Sequence, residues 1–368
     1  NVMRACALLP AATGNIGKPG AGFYYLNGSG RKGIRESYIT APHLRRQRPR
    51  SLSHMDLAST LEDAAAAQAL FCWNINIAAS SPQQRRLHRA LQRDDLFTVV
   101  VDAFQTDTAD FADFVLPAAG FLEFDDLVSS YFNLSLGAQV KAMEPIGESL
   151  PNQEIFRRLA GAMGYDEAEL FEPDTQILAT LLRDVGVAGG FAALAEKGTI
   201  NLWRDPVVQF ANGKFPTPSG KIEIASARAE AAGHPRVPLP HVDSRPTDGR
   251  LRLLSPGTPW LMNSSYGNDP GILGKLGPAT VTLHPDDAAS RDIKEGDAVE
   301  LTNDTGRLAL VARIAAIVPR GTALAGKSRW LRGSPQGANV NVLNPGRKTD
   351  MGESSAVHGV EVTIERVA

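Results

Sequence analysis

The sequence predicts an α/β domain built on a doubly wound parallel sheet, followed by a β-barrel. Two observations predict it. Between Met55 and Leu116, short apolar runs alternate with helical ones at the spacing of βαβ units. Beyond about Leu251 the helical signal fades, and short β-rich runs recur between turn residues, which favours closure into a barrel over an open sheet.

Along the chain, Asn1 to Pro10 reads as a helix with no capping residue ahead of it, and Gly14 as its stop. The chain is therefore expected to be part of something longer. A glycine-rich turn runs to Gly22, and a basic connector fills Arg31 to Arg50. Met55 to Gln68 reads as a helix, and Ala69 to Trp73 as a buried strand ending in Asn74-Ile75-Asn76. Pro82 opens a further helix through Arg93. Leu96 to Val101 is a continuous β-branched run, as a parallel strand covered on both faces requires. Thr106 to Ala112 reads as a short helix, and Phe114 to Leu116 as a third strand ended by Pro117. Asn152 to Met163 and Gln176 to Arg183 read as helices, and Lys221 to Ile224 as an alternating strand. Arg236 to Gly249, with three prolines, reads as a linker. Barrel strands are expected just before the loop that begins at Ser255, then at Ala279–Leu283, Ala298–Thr302, Leu308–Ile314, Thr322–Ala325 and Val360–Ile364.

Composition narrows the function. A chain of 368 residues, 43% hydrophobic and 21% charged, has length for two or three domains. A formal net charge of -2 argues against a broad nucleic-acid surface. No apolar run approaches the roughly 20 residues that span a bilayer, so no membrane insertion is expected. Two cysteines, Cys6 and Cys72, cannot build a disulfide framework or a four-cysteine metal site, and both read as buried inert thiols.

Three polar segments carry the chemistry. Ser255 to Asn268 holds two prolines, two glycines and several hydroxyls. Backbone donors and hydroxyls of this kind hold a large anionic group without a wall of lysines. Leu283-His284-Pro285-Asp286 and Gly296 to Asn303 follow, then Asn339-Val340-Asn341-Val342-Leu343 and Thr349-Asp350-Met351-Gly352. In the α/β part, ligands bind beyond the carboxyl ends of the strands, where Asn74, Asn76, Asp102, Thr106, Thr108 and Glu123 fall. A carboxylate there can accept from the N1–H and exocyclic amine of guanine. The alternative is that these are turn and cap residues, and Thr106-Asp107 suits a helix N-cap. His284 before Pro285 reads as a capping or packing histidine.

In this order the segments resemble the carboxy-terminal part of the molybdopterin oxidoreductases, the dimethyl-sulfoxide-reductase-like enzymes that hold a bis-guanine-dinucleotide pterin. Val101-Asp102-Ala103-Phe104-Gln105-Thr106-Asp107-Thr108-Ala109, then Ala112 to Ala119, is similar to the family's dinucleotide-binding run. The resemblance implies a Rossmann-like domain at 55–245 and a double-psi-type barrel at 246–368, after a remnant of a preceding α/β domain at 1–54. It implies that Asn74, Asn76, Asp102, Thr106 and Thr108 hold a guanosine. It implies that Ser255, Gly257, Thr258, Ser264 and Ser265 wrap pterin and diphosphate, and that Asn341 and Asp350 approach the pterin. The cofactor implied is bis-molybdopterin guanine dinucleotide with Mo or W, in two-electron redox chemistry on a small-molecule substrate. The 4Fe-4S cysteines and the metal ligand would lie upstream, and an electron-transfer protein or subunit would be the partner. The cytoplasm is the expected compartment, with the periplasm open.

Two other readings remain. One is a non-catalytic scaffold, similar to the large iron–sulfur subunit of respiratory complex I. The other is a nicotinamide site at Gly28-Ser29-Gly30-Arg31-Lys32-Gly33, which has the dinucleotide spacing but no convincing βαβ unit around it. The pairs Asp94-Asp95 and Asp125-Asp126 read as solvated turns.

Overall fold

The computed structural model describes residues 1–24, 33–239 and 243–367. Apart from Gly33, the Gly28–Gly33 spacing lies outside the described residues. The chain forms two compact units, each drawn from two stretches: Asn1–Arg50 with Pro117–His241, and Ser51–Leu116 with Val242–Ala368. Among the described residues no helix is long and apolar enough to cross a membrane.

Strands β1 (Ala69–Trp73), β2 (Phe97–Asp102) and β3 (Phe114–Pro117) form a sheet in the order β1-β2-β3. β1 and β2 are parallel, with Ala69 opposite Phe97 and Trp73 opposite Val101. One face is the core. Cys72 and Val100 meet Leu87, Ala90 and Leu91 of the helix Gln84–Leu91, together with Ala58 and Leu61 of the helix Leu57–Glu62. Positions 87, 90 and 91 fall on one helical face, and burying a leucine such as Leu87 contributes about 1.5–3 kcal/mol. The other face departs from the expected double cover. Phe71, Trp73 and Phe97 are 42%, 48% and 50% exposed, because strand-period alternation sends them opposite the helices.

The helix expected over Met55 to Gln68 is shorter. A 3-10 turn at His54–Asp56 leads into Leu57–Glu62, and 63–68 is turns. Asp63 stops it, because its carboxylate accepts from the Ala65 N–H and offers the backbone an alternative to another helical turn. The alanines that follow have propensity but no tertiary support. Thr106 to Ala112 likewise holds only a 3-10 turn, Ala109–Phe111.

The other unit carries an antiparallel sheet of β4 (Asp126–Ser129), β5 (Ser135–Gln139) and β6 (Thr199–Asn201), which the sequence reading missed. Leu136, Leu182 and Leu194 form its small core, with helices Asp174–Asp184 and Gly190–Lys197. The helix Asn152–Ala162 is as expected. The strand expected at Lys221–Ile224 is not formed; the segment is bends, with Ile224 exposed. The first helix, Val2–Ala12, buries no residue, so Cys6 is exposed rather than buried, whereas Cys72 is buried. Gly14 follows that helix at φ +67°, as a helix stop should.

The remaining strands, β7 (Leu251–Leu254), β8 (Thr280–Leu283), β9 (Ala298–Thr302), β10 (Arg307–Ile314), β11 (Thr322–Ala325) and β12 (Val360–Arg366), close a barrel. Around it the order is β10-β8-β11-β7-β12-β9. Exchanging β7, β8 and β9 for β10, β11 and β12 leaves every neighbour unchanged, and it carries the parallel pair β8/β10 onto β11/β7. The barrel is one crossed three-strand path used twice, the expected double-psi form. Leu251, Leu253, Val281, Leu283, Val299 and Leu301 alternate inward to fill it.

Candidate functional site

At the carboxyl edge of the parallel sheet, the expected residues divide into an exposed pair and a buried set. Asn74 is exposed at φ +54°, and its N–H donates to the Val101 carbonyl at 2.9 Å, so it closes β1 against β2. Asp102 ends β2, half-buried, and its Oδ1 accepts from the Phe104 N–H at 3.3 Å. Burial raises its pKa above the usual carboxylate range, while the Phe104 and Ala103 N–H groups oppose the rise.

Asn76, Thr106 and Thr108 are buried. Asn76 Oδ1 accepts from the Thr108 N–H (3.2 Å) and hydroxyl (3.0 Å), and the Thr108 Oγ1 accepts from the Ala78 N–H (3.1 Å). The Thr106 Oγ1 accepts from the Ala109 N–H at 3.4 Å, the cap geometry that its sequence context allowed. These three side chains hold the strand ends in register and leave Asn74 and Asp102 outermost.

Asp107, which the sequence offered only as a cap, turns out to be a hub. It is 3% exposed. Its Oδ2 accepts from Asn76 Nδ2 at 2.9 Å, and its Oδ1 accepts from the N–H groups of Leu331 and Arg332, each at 3.2 Å. It therefore ties the sheet edge to the segment after β11. A second tie runs through the short helix Ile77–Ser80, whose last carbonyls have no intrahelical partner. Ala78 O accepts from Gln84 Nε2 at 3.0 Å and is approached by His88 Nε2 at the same distance. Ala79 O accepts from both Asn339 Nδ2 and Asn341 Nδ2 at 2.8 Å. Asn339 also donates to the Arg329 carbonyl at 2.8 Å.

Two cavities open beside this framework. One, of about 360 Å³, is lined by Gly257, Thr258, Lys275, Arg313, Arg329 and Asn339, among others. The second, of about 230 Å³, includes His54, Ser80, Ser264, Lys327, Arg329 and Asn341 in its lining. Neither is lined by an Asp or Glu. Lys275 Nζ stands 4.6 Å over the Trp260 ring. Thr258 Oγ1 is buried without a hydrogen-bond partner. Burial lowers the His54 pKa, so the ring is neutral at pH 7; its Nε2 lies 3.0 Å from the Ser81 hydroxyl. Burial alone also lowers the Arg329 pKa. A buried hydroxyl without a partner, beside cations without carboxylates, suits an anion that also accepts hydrogen bonds.

The loop Ser255–Asn268 is held by Trp330. Its Nε1 donates to the Ser264 carbonyl at 2.6 Å, and its ring fills the space over Gly267, where a Cβ would come within 2.2 Å of Trp330 Cδ1. Ser255 is buried at the end of β7, and Ser265 is exposed in a turn, its N–H bonded to the Met262 carbonyl. Gly257 and Thr258 therefore fall in one cavity, and Ser264 and Asn341 in the other. Asn74, Asp102 and Asp350 line neither, and Asp350 is exposed in the turn before Ser355.

Three other residues have roles resolved by geometry. His284 Nδ1 accepts from the Asp286 N–H at 3.1 Å and caps the helix Pro285–Ala289, as its context before proline implied. Cys72 has its thiol pushed up to about 11, by burial first and the Asp102 charge second, so it is an unreactive core group. Glu123 lies in the other unit, where it accepts from the Gly120 and Ile146 N–H groups. Among the described residues no group of three or more His, Cys, Asp or Glu could hold a metal ion.

The model of the molydopterin dinucleotide binding domain matches residues 251–361, and that of molybdopterin oxidoreductase matches residues 1–162. The protein named Probable oxidoreductase YoaE, of Bacillus subtilis, is 32% identical over 378 residues, covering 100% of this chain and 54% of that protein. Dimethyl sulfoxide/trimethylamine N-oxide reductase of Rhodobacter capsulatus is 26% identical, over 72% of this chain and 37% of its own length. The structure of acetylene hydratase from Pelobacter acetylenicus superposes with a TM-score of 0.74 at 19% identity, covering 86% of this chain and 46% of that one, a likeness of fold. The chain spans about half the length of the first two curated relatives that it matches. With one family model over residues 1–162 and the other over residues 251–361, the chain belongs to the molybdopterin oxidoreductase family.

Proposed function

We propose that this chain is the cofactor-gripping portion of a molybdenum or tungsten oxidoreductase that holds a bis-guanine-dinucleotide pterin. One observation carries the reading. Two cavities that both include Arg329 set cations, hydroxyls and amides among apolar side chains and include no carboxylate, in a chain of net charge -2. In the larger cavity the donor set fits a diphosphate: the unpartnered Thr258 Oγ1, Lys275 and Arg313; Ser264, Lys327 and Asn341 line the other. Asp102 and Asn74, outermost at the sheet edge, suit the edge of a guanine, with Asn76, Thr106 and Thr108 bracing them from beneath. Ser255, Gly257 and Ser265 shape the loop, and Asp350 is assigned to the pterin side by resemblance.

When bound, the pterin-held metal supplies two-electron chemistry, and the protein supplies binding and orientation. Metal ligation and a 4Fe-4S cluster are assigned to the additional length that the curated relatives have. The relatives include an acetylene hydratase as well as dimethyl sulfoxide/trimethylamine N-oxide reductases.

Metal and nucleotide analysis of the intact protein tests the reading. Molybdenum or tungsten in roughly stoichiometric amount is expected, with guanine nucleotide released on acid denaturation. Protein that carries the fold but neither metal nor nucleotide would be the scaffold instead.

A further inference from the structure

Gly326 to Trp330 is neither helix nor strand, yet the segment 326–332 is tied down on two sides. On one side is the loop Ser255–Asn268. The Lys327 N–H donates to the Pro256 carbonyl at 3.0 Å, and Trp330 Nε1 donates to the Ser264 carbonyl at 2.6 Å. The Trp330 ring occupies the space that a Cβ on Gly267 would need. On the other side is the sheet edge. The Leu331 and Arg332 N–H groups donate to Asp107 Oδ1, and Arg332 Nε donates to Asp110 Oδ2 at 3.0 Å. The Leu331 side chain packs against the core under β1 and β2. Ser328 lies within the segment at φ +88°. A serine in that region is strained and persists where its surroundings over-determine it.

Only a carboxylate serves at position 107. Both of its oxygens accept, Oδ2 from Asn76 Nδ2 and Oδ1 from the two backbone N–H groups. Asn76 cannot turn its amide over, because its Oδ1 already accepts from the Thr108 N–H and hydroxyl. Asp107 lines neither cavity, whereas the loop lines both: Gly257, Thr258 and Trp260 the larger, Asn263 and Ser264 the smaller.

We propose that Asp107 and Trp330 are positioning residues that act through the strap 326–332: Asp107 anchors it to the sheet edge, and Trp330 carries that anchorage to the loop and holds it in its ligand-lining shape. The ligand part of the inference rests on the cofactor reading; the strap does not.

Hydrogen exchange of the intact protein, read peptide by peptide, tests it, with the rate of guanine nucleotide loss on dialysis as a second readout. Asp107→Asn turns an NH2 group on the Asn76 NH2. Trp330→Phe keeps a ring over Gly267 and removes the donor to Ser264. Each should speed exchange over 256–268 about tenfold, the scale of one buried hydrogen bond, and speed nucleotide loss, with β8 to β10 unchanged. Combined, they should add little to either alone, as residues acting through one element do. Asn76→Asp together with Asp107→Asn restores the donor–acceptor match and should restore slow exchange. Leu61→Ala, in the core of the same unit, should lower the urea midpoint without loosening the loop. An unchanged loop in Asp107→Asn overturns the strap. So does faster exchange spread evenly over the barrel strands, or a paired variant that rescues nothing. If Asp107→Asn does not fold, Trp330→Phe and the paired variant decide. Wild-type protein that carries no guanine nucleotide overturns the cofactor reading and the ligand part of this proposal, while the exchange data still decide the strap.

Discussion

Asp102 is held in an environment that disfavours its charge. Its folded pKa is raised, by burial above all, so its favourable contribution to stability is complete below its unfolded value of about 3.9 and is lost as pH rises through the folded value. At neutral pH the carboxylate is a liability to the fold. A group kept under those terms suits a ligand that donates to it. Asp102→Asn, which can still accept from the Phe104 N–H, should raise the urea midpoint at pH 7, give no gain near pH 3.5, and weaken guanosine diphosphate binding. An equal shift of the midpoint at both pH values would remove the electrostatic explanation. Asp107, five residues on, shows the opposite use of a carboxylate: buried, but met by three donors that fix the loop beneath the site.

Among the elements, the β9–β10 hairpin shows how closely the barrel and its cap pack. Asn303 Oδ1 accepts from the Thr305 and Gly306 N–H groups, and Asn303 Nδ2 donates to the Leu343 carbonyl at 2.8 Å. A Cβ on Gly306 would lie 2.6 Å from the Val342 carbonyl oxygen, which is backbone and cannot rotate aside. Gly306→Ala should therefore destabilise by about 1–3 kcal/mol, as overpacking does. A urea midpoint within error of wild type would show that the 340–343 turn yields instead. That turn carries Asn341 to the smaller cavity, so the same variant should weaken ligand binding there more than in the larger one.

Over the whole molecule, each compact unit has its own apolar core: Leu136, Leu182 and Leu194 in one, the barrel interior and the Leu87–Val100 cluster in the other. Both proposed ligand cavities lie in the second. A ligand that binds only the native state stabilises the unit that holds it, by about 2.7 kcal/mol at a hundred times its dissociation constant. Calorimetric scans should show two transitions, and guanosine diphosphate should raise one of them. A single transition would show that the units unfold as one, and two that rise together would show that ligand binding stabilises both.

Much of this was legible in the sequence because it is local. Short β-rich runs between turn residues placed β8 to β12, the apolar run before Ser255 placed β7, the β-branched run 98–101 placed β2, and the proline after His284 placed a cap. The polar loop at Ser255–Asn268 and the Asn339–Leu343 run could be read as segments for holding an anion from their residue types alone. What the tertiary structure decided was which of these groups meet. Asp107 became a hub, Asn339 and Asn341 came to share the Ala79 carbonyl, and Trp330, unremarked in a stretch of mixed polarity, came to hold the loop at Ser264. Hydrogen-bond partners more than two hundred residues apart leave no period in a sequence, and a strap is marked by its ties only once the fold has chosen its neighbours.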